Sequence, residues 1–224
     1  MNKVFGLKTD FAPVKDDASR LVVSYGYEEV DNENATWYEV YLYKKQFSQI
    51  NIGTVKDAVI GNIDARTDEK ILNGYQFTPD NEEEAITVWL SKESQTNFSE
   101  AQRLQIVPVK FKLNEDENKN VIYHTFETVE ELNRFYIGGV RYINQCLNEG
   151  WQEKDSVDWK PYEDALAEIE EARIAAEEAA RQAAEEEAAR LAAEEAERLA
   201  KEQEEREKMG GGIHPGEEGN NEAE

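Results

Sequence analysis

The sequence predicts an α+β fold, antiparallel hairpins packed with two or three helices and followed by one long Ala/Glu-rich C-terminal helix. Three observations lead there. Short runs of aromatic and β-branched residues alternate with polar ones on either side of turn-rich segments, which is the pattern of half-buried strands. Between them lie stretches whose apolar residues recur every three or four positions, as one helix face requires. After Pro161 the chain turns into repeats of Ala, Glu and Arg, which are strong helix formers with little to bury.

Taken in order, Leu21, Val23, Tyr25 and Tyr27 alternate with Val22, Ser24 and Gly26, and WYEVYLYKK follows the polar DNENAT. This predicts a hairpin with its loop near Asp31 to Ala35. In TVKDAVIGNIDART, Val55, Val59 and Ile63 fall on one face of a short helix. ILNGYQF and AITVWLS flank TPDNEEE and predict a second hairpin, with Ile86, Val88 and Leu90 facing one way. Ser94 or Ser99 is read as the cap of a helix reaching about Ile106. VPVKFKL and VIYHTFE then form a strand pair across NEDENKN.

The clearest helix of the folded part is TVEELNRFYIGGVRYINQCLNEG. Thr128 and Glu131 have capping-box spacing, and Leu132, Tyr136, Val140, Ile143, Leu147 and Trp151 make an apolar stripe that Gly150 is expected to end. Gly138 and Gly139 lie mid-helix, where each costs about 1 kcal/mol relative to Ala, so a close approach of the sheet to that backbone is expected. KDSVDWKPYEDAL reads as a linker in which Pro161 opens the terminal helix.

The domain organisation expected is therefore a β-rich part over 1–50, an α+β module over 51–160, a charged helix over 161–208 and a disordered acidic tail over 209–224. All 4 Trp, all 8 Phe and nine of the 10 Tyr precede Pro161, so the core ends there, and Tyr162 sits at the junction. The terminal helix is expected to carry i,i+4 pairs Glu177 with Arg181, Glu186 with Arg190, Glu194 with Arg198 and Glu202 with Arg206. Its few large apolar residues, Leu166, Ile169, Ile174, Leu191 and Leu199, share an arc but follow no seven-residue repeat.

The formal charge of −24 is spread over both parts, with 18 basic against 28 acidic residues up to Lys160 and 7 against 21 beyond it. No basic stripe offsets that field, so neither nucleic acid nor an anionic membrane is an expected partner. There is no apolar run long enough to span a bilayer and no signal-peptide pattern at the N-terminus. A single cysteine, Cys146, leaves no internal disulfide to form and reads as a partly buried helix residue.

Chemistry is sparsely supplied. His124 and His214 are the only imidazoles, and they belong to a strand and to the Gly/Pro tail. No metal set, nucleophile set or phosphate loop can be assembled, and abundant carboxylates make any single acidic pair uninformative. The expectation is no enzyme, no cofactor and no metal. Glu93, Gln95 and Asn97 are read as pinning the hairpin-to-helix junction, and Trp37 and Trp89 as core aromatics that alternatively offer stacking surface.

One resemblance sharpens this. Asp64, Thr67, Asp68 and Ile71 with Gly74 and Tyr75, the run Trp89, Leu90, Ser91, Glu93, Gln95, Asn97 and Phe98, and the helix end Gly150, Trp151, Lys154 and Asp155 together resemble a module of tailed-bacteriophage structural proteins, particularly those of Bacteroides-type gut hosts. The likeness covers about residues 50–160. It implies a virion protein, a head-fibre, capsid-decorating or tail-fibre component, assembled in the host cytoplasm and bound to other virion proteins (capsid, portal or tail) or to further copies of itself. A non-virion assembly adaptor or chaperone and a host-surface glycan-binding module are the alternatives. The interaction surface expected comprises Trp37, Trp89, Leu166, Ile169, Ile174, Leu191 and Leu199.

Overall fold

The computed structural model describes residues 2–210 except Ser48 and Asn81. The chain divides into two units, Met1–Ala167 and Glu168–Glu224. In the first unit a four-stranded antiparallel sheet in the order β1-β4-β3-β2 is built from β1 (Asn2–Leu7), β2 (Val14–Asp17), β3 (Arg20–Glu29) and β4 (Asn34–Tyr43). The expected hairpin is β3–β4, whose loop is closed by Asp31 Oδ1 accepting the backbone N–H of Glu33 and Asn34 at 2.8 and 2.7 Å. A bulge follows Tyr25, and Gly26 sits there at φ +66°, a conformation that side-chain-bearing residues rarely adopt.

Trp37 is a core residue, which corrects its place in the expected interaction surface. It is 3% exposed, and its ring fills the space over Gly6, where a Cβ would lie 2.7 Å from it. Phe11 meets it edge-on at 5.9 Å. A ring enclosed in this way has no free face for a ligand.

Helix α1 (Ile52–Gly74) starts at a capping box, Asn51 accepting from the Thr54 N–H at 3.1 Å while Thr54 Oγ1 accepts from the Asn51 N–H at 3.5 Å. Val55, Val59 and Ile63 are fully buried, as their spacing predicts. The helix is longer than expected and takes in Ile71 to Gly74, so the second hairpin is reduced to β5 (Tyr75–Phe77) and β6 (Ile86–Val88). Ser91 caps α2 (Lys92–Leu104) in place of Ser94 or Ser99. The third hairpin is β7 (Val109–Glu115) with β8 (Val121–Phe126), and it joins the second through the Trp89 N–H donating to the Leu113 carbonyl at 2.8 Å.

Helix α3 (Val129–Asp155) organises this half. Its buried line is Leu132, Phe135, Gly139, Cys146 and Gly150, whereas Val140 and Trp151 of the expected stripe are 37% and 54% exposed. The reason is backbone approach. The Tyr75 ring lies on Gly138 and Gly139 and its hydroxyl donates to the Phe135 carbonyl at 2.8 Å. A Cβ on Gly138 would stand 2.4 Å from that oxygen, and one on Gly150 2.5 Å from Thr67 Oγ1. Gly150 therefore admits α1 rather than ending α3. Around this contact Phe77, Phe98, Phe126 and Phe135 interlock with ring centroids 4.8–5.7 Å apart, each contributing roughly 1.5–3 kcal/mol by burial.

Only half of the expected capping box forms at Thr128, whose hydroxyl accepts from the Glu131 N–H at 3.2 Å. The Glu131 carboxylate, 4% exposed, turns away to His124 Nε2 at 3.0 Å and the Asp80 N–H at 2.9 Å. His124 is thus structural, edge-on to Phe126 at 4.7 Å. Cys146 is buried, as its helix position implies.

A polar seam ties the large sheet to the helices. The Arg66 guanidinium lies 3.7 Å from the Tyr38 ring centroid and is ion-paired with Glu153, while the Tyr25 hydroxyl donates to Asn62 at 2.5 Å. Helix α4 (Lys160–Gly210) begins inside this unit. Tyr162 is buried and donates to the Ser24 carbonyl at 2.9 Å, so the folded unit reaches Ala167 and does not stop at the expected boundary near Lys160. The rest of the acidic tail expected beyond Gly210 lies outside the described residues.

In the second unit every described side chain from Glu170 to Arg206 is exposed. Its ion pairs differ from those expected: Arg173 meets Glu170 and Glu177, Arg181 meets Glu185, Arg190 meets Glu187 and Arg198 meets Glu195. Each cation has acids a turn away in both directions, and exposed pairs contribute so little that neighbouring partners are interchangeable.

Two measurements check this packing. In urea denaturation Gly138→Ala is expected to lower stability by roughly 1–3 kcal/mol through overpacking, with Tyr75→Phe relieving part of the loss in the double variant. Gly61→Ala, where a Cβ would meet nothing within 4 Å, is expected to raise it by up to about 1 kcal/mol. Burial pushes the hydroxyls of Tyr25, Tyr75 and Tyr162 up to about 12 from an ordinary 10.0. Between those values the unfolded chain releases protons that the folded chain keeps, so stability is full below about pH 10 and falls as pH rises toward 12. Calorimetric melting points across that range should drop, with a smaller drop in Tyr162→Phe.

Candidate functional site

Two concave regions of the first unit meet on α2, and the state of their polar groups separates them. The larger, about 470 Å³, runs between α2 and α3 over Tyr75, Leu90, Phe98 and Phe135. Its polar side chains already have partners: Gln95 donates to the Leu90 carbonyl at 2.7 Å, Thr96 to the Lys92 carbonyl at 2.9 Å, and Glu100 pairs with Arg103 at 2.6 Å. Only Lys92 on its rim lacks an ionic partner among the described residues. Its floor is the core itself.

The smaller, about 340 Å³, lies where the first turn of α2 faces the β6–α2 connection and strand β7. Both volumes fall in the range of small-molecule pockets, roughly 300–1,000 Å³. Local sequence explains how the smaller one is built. Trp89 follows β6 directly and is fixed by its backbone bond to Leu113. Leu90 is buried, 4% exposed, and its N–H donates to Leu72 at the end of α1. Ser91 accepts from the Ser94 N–H at 3.1 Å and starts the helix. Glu93 and Asn97 then fall one turn apart on the same face, with buried Phe98 beside them forming the cleft floor. From β7 comes Lys112, whose ammonium stands 5.2 Å from the Trp89 ring centroid and pairs with Glu115 at 2.6 Å.

Glu93, Asn97 and the Trp89 indole N–H have no hydrogen-bond partner among the described residues. Glu93 suits the positive end of the α2 dipole, but neither it nor Asn97 pins the junction, which corrects that expectation for both. Gln95 alone does so. Trp89 is half-buried and borders the cleft, with the Lys112 ammonium over its ring. Of the apolar residues expected on α4, Leu166 and Ile169 are half-buried, and Ile174, Leu191 and Leu199 are 44%, 53% and 49% exposed. They do not join this cleft. Lys112 was missed because only folding of the third hairpin against α2 brings it there. The i,i+4 spacing of Glu93 and Asn97 was the signal available beforehand.

Among the described residues no group of three or more His, Cys, Asp or Glu is placed to hold a metal ion, and no helix is long and apolar enough to cross a membrane. Comparison of the chain with models of known protein families, with characterised proteins and with solved structures finds no match.

The assignment of side chains to fold or cleft has a direct check. In urea denaturation Glu93→Ala and Asn97→Ala are each expected to change stability by less than about 1 kcal/mol, as for surface positions. Gln95→Ala should cost about 1 kcal/mol through the lost carbonyl bond and Phe98→Ala roughly 3–5 kcal/mol through the cavity it leaves.

Proposed function

We propose that the protein is a structural component of a tailed-phage particle, acting through protein–protein binding: a folded α+β unit docks, and its terminal helix serves as a spacer. The observation that carries the reading is the helix. From Glu170 to Arg206 its side chains are all solvated and its charges are laced at i,i+3 and i,i+4 spacing, the composition of a helix that works as an element of length rather than of core. A helix of this extent rises on the order of 60 Å at 1.5 Å per residue. The motif resemblance over residues 50–160 supplies the phage context, and head-fibre, capsid-decorating and tail-fibre positions all suit a docked unit with a spacer.

Tight side-by-side pairing of bare helices is opposed by their charge, and their large apolar residues are too widely spaced for a continuous seam. Copies of the chain therefore associate, where they do, through partners that the folded unit engages.

Mass spectrometry of particles purified from a lysate of the source phage tests the reading. The protein is expected in intact particles at a constant ratio to the major capsid protein. Its presence in the lysate with absence from particles would overturn the virion assignment and favour an assembly adaptor.

A further inference from the structure

The geometry points to a saccharide-binding subsite in the smaller cleft, formed by Trp89, Glu93, Asn97 and Lys112, and taking the ring of a neutral sugar. This inference is independent of the particle role, and its failure leaves that reading untouched.

Three features of the cleft select this ligand class. The first is the state of its polar groups. A carboxylate, a carboxamide and an indole N–H lie around one concavity with no partner among the described residues, although Ser91, Ser94 and Gln95 on the same turn of helix are bonded. Glu93 accepts hydrogen bonds, Asn97 both donates and accepts, and Lys112 and Trp89 donate, which matches the mixed donor and acceptor character of adjacent sugar hydroxyls.

The second is aromatic surface beside those groups. The C–H face of a pyranose packs on an aromatic ring while its hydroxyls reach outward, and Trp89 borders the cleft half-buried and held by its backbone. Lys112 stands over the same ring, but its side chain is 43% exposed. It is a flexible contact that an entering ring shares or displaces.

The third is charge. In a chain of formal charge −24, the Lys112 ammonium is already paired with Glu115, so the Glu93 carboxylate is the uncompensated charge of the cleft. Anionic sugars and phosphates gain no net attraction there, and the field of the whole molecule opposes them. The larger groove on the other side of α2 offers no such set, because its polar groups other than Lys92 are already engaged.

The test uses the full-length chain on a printed array of neutral, amino and acidic glycans, followed by ligand-observed NMR with methyl glycosides of glucose, galactose, mannose and N-acetylglucosamine up to about 10 mM. Binding to neutral glycans is expected, weakened at least about tenfold in Glu93→Ala/Asn97→Ala and in Trp89→Ala, and unchanged in Glu100→Ala on the other groove. The double variant keeps the test falsifiable if Trp89→Ala fails to fold, since its two side chains are exposed and make no hydrogen bond or ion pair among the described residues. Competition by a free methyl glycoside would show that the ring itself is recognised, and binding only to surface polymers with no such competition would overturn the subsite. So would the absence of binding across the array, binding confined to acidic glycans, or full binding by the double variant.

Discussion

The packing of the folded unit depends on one contact, the Tyr75 ring lying on the bare backbone of Gly138 and Gly139. Because no Cβ stands in the way, a strand-borne aromatic approaches the axis of α3 closely enough to donate to the Phe135 carbonyl within the helix. Two further contacts use the same device. Thr67 of α1 sits against Gly150 of α3, and Tyr142 of α3 sits against Gly74 at the end of α1, donating to the Lys70 carbonyl at 2.8 Å. The two longest helices of this unit are thereby held near each other, and the glycines' cost in helix propensity, about 1 kcal/mol each, is offset by the aromatic burial they allow.

That approach determines where the polar side chains go. With α1 close along α3, Arg66 reaches Glu153 and Lys154 reaches Asp64 across the interface. Arg66 also lies flat on Tyr38, so one guanidinium links the large sheet to both helices. Its Nε is buried without a partner, the cost of a side chain positioned by stacking and by one terminal nitrogen. Beside this seam Tyr162 donates to Ser24, and the first turns of α4 therefore belong to the folded unit.

Much of this was legible in the sequence, because alternation and helical spacing report which large side chains need cover. The β3–β4 hairpin, the buried face of α1 and the Thr128 cap all follow from such patterns. What failed is informative. Counting large apolar residues on α3 selected Leu132, Tyr136, Val140, Ile143, Leu147 and Trp151, of which Leu132 is fully buried and Tyr136, Ile143 and Leu147 pack against the core, yet the most buried line also includes Gly139, Cys146 and Gly150, which the count passed over. Where two backbones approach closely the smallest residues mark the interface, and a hydrophobicity count is blind to them. Strands β1 and β2 were missed for another reason, since NKVFGL and VKDD are short edge segments whose pairing is imposed by β4 and β3. In the cleft, Trp89 was found from its residue type, whereas Lys112 joined it only through tertiary contact.

The turn of helix after Ser91 divides one short motif between side chains that hold the fold and polar side chains that do not. Helical geometry sends successive residues to different faces, so Gln95 and Phe98 look inward to the Leu90 carbonyl and the aromatic core while Glu93 and Asn97 look out to the cleft. The inward pair fixes the height and rotation of the helix, and that fixes where the outward pair stands relative to Trp89. A polar side chain that no fold contact restrains is then placed by the rigidity of its neighbours rather than by a bond of its own. Its hydrogen-bonding capacity stays unspent within the fold, which is the condition under which a short polar motif can contribute affinity.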